Sequence, residues 1–490
     1  MAGDWILSVD IGTSGVKAII FDRAGRMVSS ARRSYPMLTP APDWAEQDPD
    51  VVLAAVLDVM GEAYRNRPGG RPVAAVSFSS QWYSIMPIGP DGRPKSRYLT
   101  WSDRRAASVA DRLRSSSTAA ELYRATGCPL DAIYPLSKIA WFREQGTTAA
   151  RYISIKEYVF HHLFGEYAVD WGLAAATGLL DIRKAVWNDT ALAAAGISAA
   201  QLSPLVPPRT TWTQWTTDAL ARTGIPQGTP CVFGGGDGAL ASVGVGALGK
   251  GVAAVNVGTS AAARALVTEP FSDPGRRLWT YLVDEGWWVV GGIVSSGAVV
   301  SDWFARILGS AAGSESAAEL NTLVEAVPAG AEGLLFLPYL SGEQCPVWDP
   351  RTTGAFFGLT HGHGRGHFAR AVYEGITMSI ARIVDALSEA FAPVHEVRVT
   401  GGLAGSPAWL RIAADMFGAR VHVPETVEGS ARGAAVLAWA ALGMADDLTA
   451  AAALENSTAT VEPDTATHEL YRAQIRQAET VLQAIKGTRT

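Results

Sequence analysis

One short phrase occurs twice in this chain. Val9-Asp10-Ile11-Gly12-Thr13-Ser14 near the start is echoed by Val255-Asn256-Val257-Gly258-Thr259-Ser260 near the middle. Each copy follows a β-rich run and ends in a turn that offers backbone N–H groups and hydroxyls. An echo at half-chain distance predicts two domains of like fold facing each other, and 490 residues exceed what one hydrophobic core holds. Lys250-Gly251 is the natural joint, which gives a first domain over 1–249 and a second over 250–490.

The first copy sits in a predicted hairpin. Ile6 to Asp10 is an apolar strand ending in an acid, Ile11 to Gly15 is the turn, and Val16 to Phe21 returns. A phosphate loop or dinucleotide fingerprint would instead open a helix at its turn. Asp48-Pro49 starts a helix whose apolar face is Val52, Val56, Val59 and Met60. A strand over 73–78 leads into Ser79-Ser80-Gln81-Trp82-Tyr83, and this alternation predicts an α/β architecture. A second apolar strand over 230–233 runs into a turn at 234–238, then a Gly- and Ala-rich helix to Val245. A third glycine turn, 401–406, follows a strand over 395–400, and a helix begins near Pro407. From Leu448 the chain is Ala/Thr-rich and then amphipathic, which predicts a surface-packed C-terminal helix.

These turns suit phosphoryl transfer. That reaction needs the phosphates held, their charge neutralised by metal, and the acceptor oxygen aligned and deprotonated. Glycine lets backbone N–H groups reach phosphate oxygens, and Thr and Ser hydroxyls add donors. Two such turns, one per domain, can grip a triphosphate between them. Asp10 is a candidate Mg²⁺ holder, through water. Lys17 either neutralises charge nearby or is a solvated strand lysine. Asp237, between glycines at a strand end, either accepts the proton of an attacking hydroxyl or stabilises its own turn.

The composition narrows the field. Net charge is −6, and no run of Lys and Arg offers a nucleic-acid footprint. No uninterrupted apolar stretch is long enough to cross a bilayer, and the N-terminus lacks a basic region leading into an apolar one, so a cytoplasmic protein with no membrane partner is expected. Cys128, Cys231 and Cys345 are far apart and odd in number, which predicts buried reduced thiols. His361, His363 and His367 fit no zinc spacing and read as a solvated loop.

Two longer stretches carry a resemblance. Gly354-Ala355-Phe356-Phe357-Gly358-Leu359, followed at a fixed gap by residues 367–374, and Pro135 to Gln145 resemble the two signatures of the FGGY carbohydrate kinases, within the actin-like ATPase superfamily. Ile133 departs from the N-terminal signature, the one around Pro135 to Gln145, which usually has Met, Phe, Tyr, Gly or Ser there. The resemblance implies two ribonuclease-H-like domains with a cleft between them. It implies Asp237 as catalytic base and metal neighbour, with Asp10 on the metal. Gly12, Thr13, Ser14 and Lys17 would form the first ATP-binding turn, and Gly258, Thr259 and Ser260 the second. Gly297, Gly401, Gly402 and Ser406 would complete the nucleotide side. Gln81, Trp82, Tyr83, Asp103, Arg104 and Lys156 would face the sugar. ATP and Mg²⁺ are the implied cofactors; a homodimer is left open. Residues 153–158, 174–179 and Asp237-Gly238 are most similar to gluconate kinases, whereas xylulose kinases usually carry Asn after the catalytic Asp. Trp82-Tyr83 replaces the Met-His pair of both groups, in the sugar pocket. A gluconate carboxylate would call for Arg104 or Lys156. The alternatives are a kinase for xylulose or another ketose or polyol, and, from another class, a non-enzymatic actin-like ATP-binding protein.

Overall fold

The computed structural model describes residues 4–308, 314–349, 351–445, 447–452 and 457–487. β1 (Trp5–Ile11) and β2 (Gly15–Phe21) form the expected hairpin, and β3 (Met27–Ser34) extends it on the β2 side. β1 is covered on both faces: Trp5, Leu7, Val9 and Ile11 bury an apolar one, and Ile6, Ser8 and Asp10 form the other. α1 (Pro49–Arg65) starts where predicted: the Asp48 side chain accepts from the Asp50 N–H, and Pro49 needs no partner in the first turn. α1 returns the chain to β4 (Val73–Ser80), parallel to β1. The excursion from 81 to 230 carries α2 (Pro135–Glu144), α3 (Ile155–Phe164), α4 (Trp171–Ala175) and the short β5 (Thr211–Trp212). β6 (Cys231–Gly236) then pairs with β4 in parallel and hands directly to α5 (Asp237–Gly244). The first sheet therefore runs β5-β6-β4-β1-β2-β3.

The second half repeats this plan. β7 (Val252–Val257) and β8 (Ala261–Val267) are the hairpin, joined by β9 (Trp279–Asp284) and β10 (Trp287–Val294). After α6 (Ala298–Ile307) and the long α7 (Arg365–Ala390), β11 (Glu396–Gly401) lies parallel to β7 as β4 does to β1. α8 (Pro407–Phe417) leads to β12 (Arg420–Pro424), α9 (Gly429–Ala441) follows, and β13 (Ser457–Val461) and α10 (Thr465–Gly487) finish the described chain. The order is β9-β10-β8-β7-β11-β12-β13, the first sheet's order plus one strand at the β9 end. The echoed phrase is thus the β1–β2 turn in one sheet and the β7–β8 turn in the other.

Three features differ from the sequence reading. Gly234 to Gly236 are strand rather than turn: Gly234 has φ +78°, and a Cβ there would lie 1.7 Å from the Phe78 carbonyl, so the glycines form a bulge pressed on β4. β13 was not anticipated; its exposed Ser-Thr-Ala-Thr-Val run lies at the sheet edge and has little apolar pattern. α9 comes from the second half of the chain but packs on the first sheet. Its Ala434, Ala435 and Leu437 share a core with Ile6, Ile19 and Val232 of that sheet, with Leu240 of α5 and with Leu266 of β8. α5 and α9 therefore form a layer between the two sheets.

That layer is held by backbone contact. A Cβ on Gly244 would lie 1.9 Å from the Gly429 carbonyl oxygen, and one on Gly433 would lie 1.9 Å from the Leu240 carbonyl oxygen. No rotamer relieves a clash at Cβ. Gly433→Val is expected to destabilise the protein by about 2–3 kcal/mol, the upper part of the usual overpacking cost, read as a lower midpoint in chemical denaturation. A variant as stable as the parent would mean that the helices are not in contact there.

Candidate active site

Strand register builds the site. Asp10 of β1 is level with Ser79 of β4, and Ser79 with Gly235 of β6. Asp237 follows two residues later, at the carboxyl edge of the parallel strands and the first residue of α5. Open α/β sheets bind ligands at this edge. The Gly238 N–H donates to Asp237 Oδ1 at 2.8 Å, and the helix N-terminus also favours a carboxylate. Burial works against both and, with the negative charge of Asp10, pushes the Asp237 carboxyl up to about 7. A carboxylate that holds a proton this readily is suited to general-base work at neutral pH.

Asp10 lies across the sheet from Lys17, and burial raises its pKa while the Ser79 hydroxyl and Lys17 partly offset this. Asp10 Oδ1 is buried without a hydrogen-bond partner, an arrangement that fits a water of a hydrated Mg²⁺. Lys17 Nζ pairs with Glu428 at 2.6 Å, immediately before α9. The first turn is held from behind: Gly12 O accepts from Tyr35 Oη (2.5 Å) and Gln81 Nε2 (3.3 Å), and Thr13 O accepts from Gln47 Nε2 (2.8 Å). This leaves Ser14 exposed.

In the second turn Gly258 and Thr259 are exposed and Ser260 is half-buried. Thr259 and Ser260 line a cleft of about 510 Å³ whose other wall carries Trp101 and Arg104. The Trp101 indole N–H donates to Thr13 Oγ1 at 3.1 Å, so the cleft spans from one turn to the residue that touches the other. Gly297 lies against the second turn: its Cβ would be 2.5 Å from Gly258 O, and the Ala298 N–H donates to that oxygen at 2.7 Å. Gly401, at φ +79°, allows β11 to touch Val257, and Gly402 follows it with more room. The structure spends Ser406 elsewhere: buried, its hydroxyl caps α8 through the Trp409 N–H and donates to Asn321.

The residues expected on the sugar side divide into two groups. Trp82 and Tyr83 come beside Asp237 and Gln81 lies behind the first turn, but all three are buried. Trp82 lies on the backbone of Gly236 and Gly238, where a Cβ would sit 1.7 and 2.4 Å from its ring. It meets Trp279 and Tyr281 of β9 edge-on, and Tyr83 Oη and Tyr134 Oη both share hydrogen bonds with Tyr281 Oη, at 3.0 and 2.9 Å. The other group is committed to protein partners. Asp103 is fully buried and accepts from Ala45 and Arg105. Lys156 pairs with Asp170 at 2.8 Å with both side chains inaccessible, and so has no surface to offer a ligand. Arg104 reaches the cleft but is paired with Asp131 at 2.7 Å.

The structure adds residues that the sequence reading missed. Arg264, on β8, approaches Asp237 from the second half: each perturbs the other's titration, and the guanidinium lies 5.9 Å over the Trp82 ring. The available signal was a lone charge in the strand Ala-Ala-Ala-Arg-Ala-Leu-Val. Glu343 lines the cleft, where burial pushes its carboxyl up to about 8 although its Oε1 accepts from the Ser295 and Gln344 N–H groups. Lys138 is fully buried, burial pulls its pKa down to about 7, and its Nζ donates to Tyr83 O (3.1 Å) and Thr100 O (2.7 Å), tying the aromatic wall to the segment that leads into the cleft.

The N-terminal domain model of the FGGY family of carbohydrate kinases matches residues 5–244, and the C-terminal domain model matches residues 253–442. A gluconokinase of Bacillus subtilis (strain 168) is 36% identical over 466 residues, covering 93% of this chain and 91% of that protein. The crystal structure of a gluconate kinase from Lactobacillus acidophilus superposes with a TM-score of 0.93 at 29% identity, over 98% of both chains. A ligand-bound xylulose kinase from the same organism gives the same TM-score, identity and coverage.

Lys138→Met would take the donor from the buried Tyr83 carbonyl, at about 1–3 kcal/mol, and leave the Thr100 carbonyl with the Asp103 N–H alone. It is expected to raise KM for the sugar-side substrate at least tenfold while moving KM for ATP less than twofold. Equal effects on both in steady-state kinetics would mean that Lys138 serves overall stability and not the sugar-side segments.

Proposed function

The chain belongs to the FGGY family of carbohydrate kinases, and from that premise we propose that it moves the terminal phosphoryl group of ATP to a hydroxyl of gluconate. The family is a family of phosphotransferases with alcohol acceptors. The finer reading rests on one observation above all: a desolvated carboxyl, Asp237, held near neutrality at the sheet edge beside Asp10 and the aromatic wall.

Asp237 takes the proton of the acceptor hydroxyl. The freed oxygen attacks the terminal phosphorus as the bond to the bridging oxygen breaks, and ADP leaves. The Gly12 and Gly258 N–H groups close their own turns on Gly15 O and Ser260 O, which leaves the N–H groups and hydroxyls of Thr13, Ser14, Thr259 and Ser260 as the donors for the phosphates. Mg²⁺, brought with ATP, supplies charge neutralisation on the phosphates, and Asp10 is the residue to hold it through water. Glycine at 238 and the similarity to the B. subtilis gluconokinase favour a sugar acid. The equal superposition of a xylulose kinase supports a second reading, a kinase of a ketose or polyol.

A coupled ADP-release assay over aldonic acids, ketoses and polyols separates these readings. Gluconate is expected to give the highest kcat/KM; a tenfold preference for xylulose or glycerol would overturn the choice of substrate. Because the Asp237 pKa is raised, its basic form is lost as pH falls through about 7. The kcat/KM for the acceptor is therefore expected to decline below that pH, and Asp237→Asn to lower kcat by on the order of 10²–10⁴ with ATP binding retained. Normal turnover in that variant would remove Asp237 from the mechanism.

A further inference from the structure

Arg104, Lys156 and Arg264 differ in one respect. Arg104 is paired with Asp131 and Lys156 with Asp170. Arg264 forms no ion pair or hydrogen bond with a described residue, and its Nε is buried without a partner. The side chain is half-buried, and a charged N–H turned inward without an acceptor is costly to leave unpaired. The ring of Trp82 at 5.9 Å and the nearby charge of Asp237 offset only part of that.

The chain makes room for this side chain on two sides. A Cβ on Gly238 would lie 2.9 Å from Arg264 Nε, and a Cβ on Gly291 of β10 would lie 3.0 Å from its Cγ. Gly238 directly follows Asp237. A side chain there would press on both Arg264 and Trp82. The glycine and the arginine thus form one device, an unsatisfied planar cation laid beside the general base. Arg264 lies four residues along β8 from Ser260, so it is displaced along the strand from the phosphate turn.

We propose that Arg264 is the residue that binds the carboxylate of the sugar-acid substrate, with Gly238 and Gly291 as the space that admits it. The proposal rests on the sugar-acid reading above. A guanidinium matches a carboxylate with two parallel N–H···O bonds, and an alcohol in the same place satisfies it only in part.

The test compares gluconate with glucitol, which keeps the carbon chain and replaces the carboxylate by CH₂OH. The wild-type enzyme is expected to favour gluconate by about 100-fold in kcat/KM, the size of a lost charge-assisted pair. Arg264→Met is expected to erase most of that preference through KM for gluconate, with KM for ATP unchanged, and Arg264→Lys to restore part of it. Full preference for gluconate in Arg264→Met would overturn the assignment. So would an equal fall in turnover of both acceptors, which would make Arg264 part of phosphoryl transfer. A wild-type enzyme that uses xylulose but no aldonic acid would overturn the sugar-acid reading itself and this assignment with it. If Arg264→Met does not fold, titration calorimetry of gluconate and glucitol on the wild-type protein reads the same charge preference, and equal affinity would overturn the proposal.

Discussion

Two helices that meet through bare backbone hold the rest of this molecule in place. α5 and α9 approach closely enough that Gly244 and Gly433 each face a carbonyl of the other helix, at distances no side chain tolerates. α5 begins with Asp237, and α9 is preceded by Glu428, the partner of Lys17. The contact therefore fixes the base and brings a charged residue of the second half against the strand that carries Asp10's neighbour. It also buries one continuous apolar layer between the sheets, in which residues of β1, β2, α5, β8 and α9 share a core.

Charge is arranged around that layer with little left over. Lys17, Arg104 and Lys156 are each balanced by a nearby carboxylate. Asp10, Asp237 and Glu343 are held in places where burial disfavours their charge. A site of this kind stores electrostatic strain that substrates and metal can relieve, and it keeps water, a competing phosphoryl acceptor, from the reacting atoms. The aromatic wall serves the same end. Trp82 and Tyr83 from the first half meet Trp279 and Tyr281 from the second, so closing the pocket and joining the halves use the same rings.

Much of the fold was legible because its signals are local. A glycine turn between apolar runs forms a hairpin, Asp48-Pro49 starts a helix, and the recurrence of one phrase announces two sheets of like plan. Edge strand β13 was not legible, because an exposed edge carries little apolar pattern. The bulged glycines of β6 read as a turn, because local preference cannot reveal that Phe78 O lies 1.7 Å from where a Cβ would be. The sugar side was read least well. Asp103 and Lys156 belong to segments near it but are satisfied inside the protein, and Ser406 is a helix cap.

By itself the sequence determined what short-range chemistry determines: hairpins, helix starts, the echoed glycine turns and an acid at a strand end. Tertiary structure alone decided which charges are spent on neighbours and which are left to a ligand. It paired Arg104 with a residue 27 positions away and Lys156 with one 14 positions away, and left Arg264 facing Asp237 from the other half of the chain. The reason is physical. A side chain's charge is satisfied by whatever lies within a few ångströms of it, and that neighbourhood exists only after strands far apart in sequence have been laid side by side.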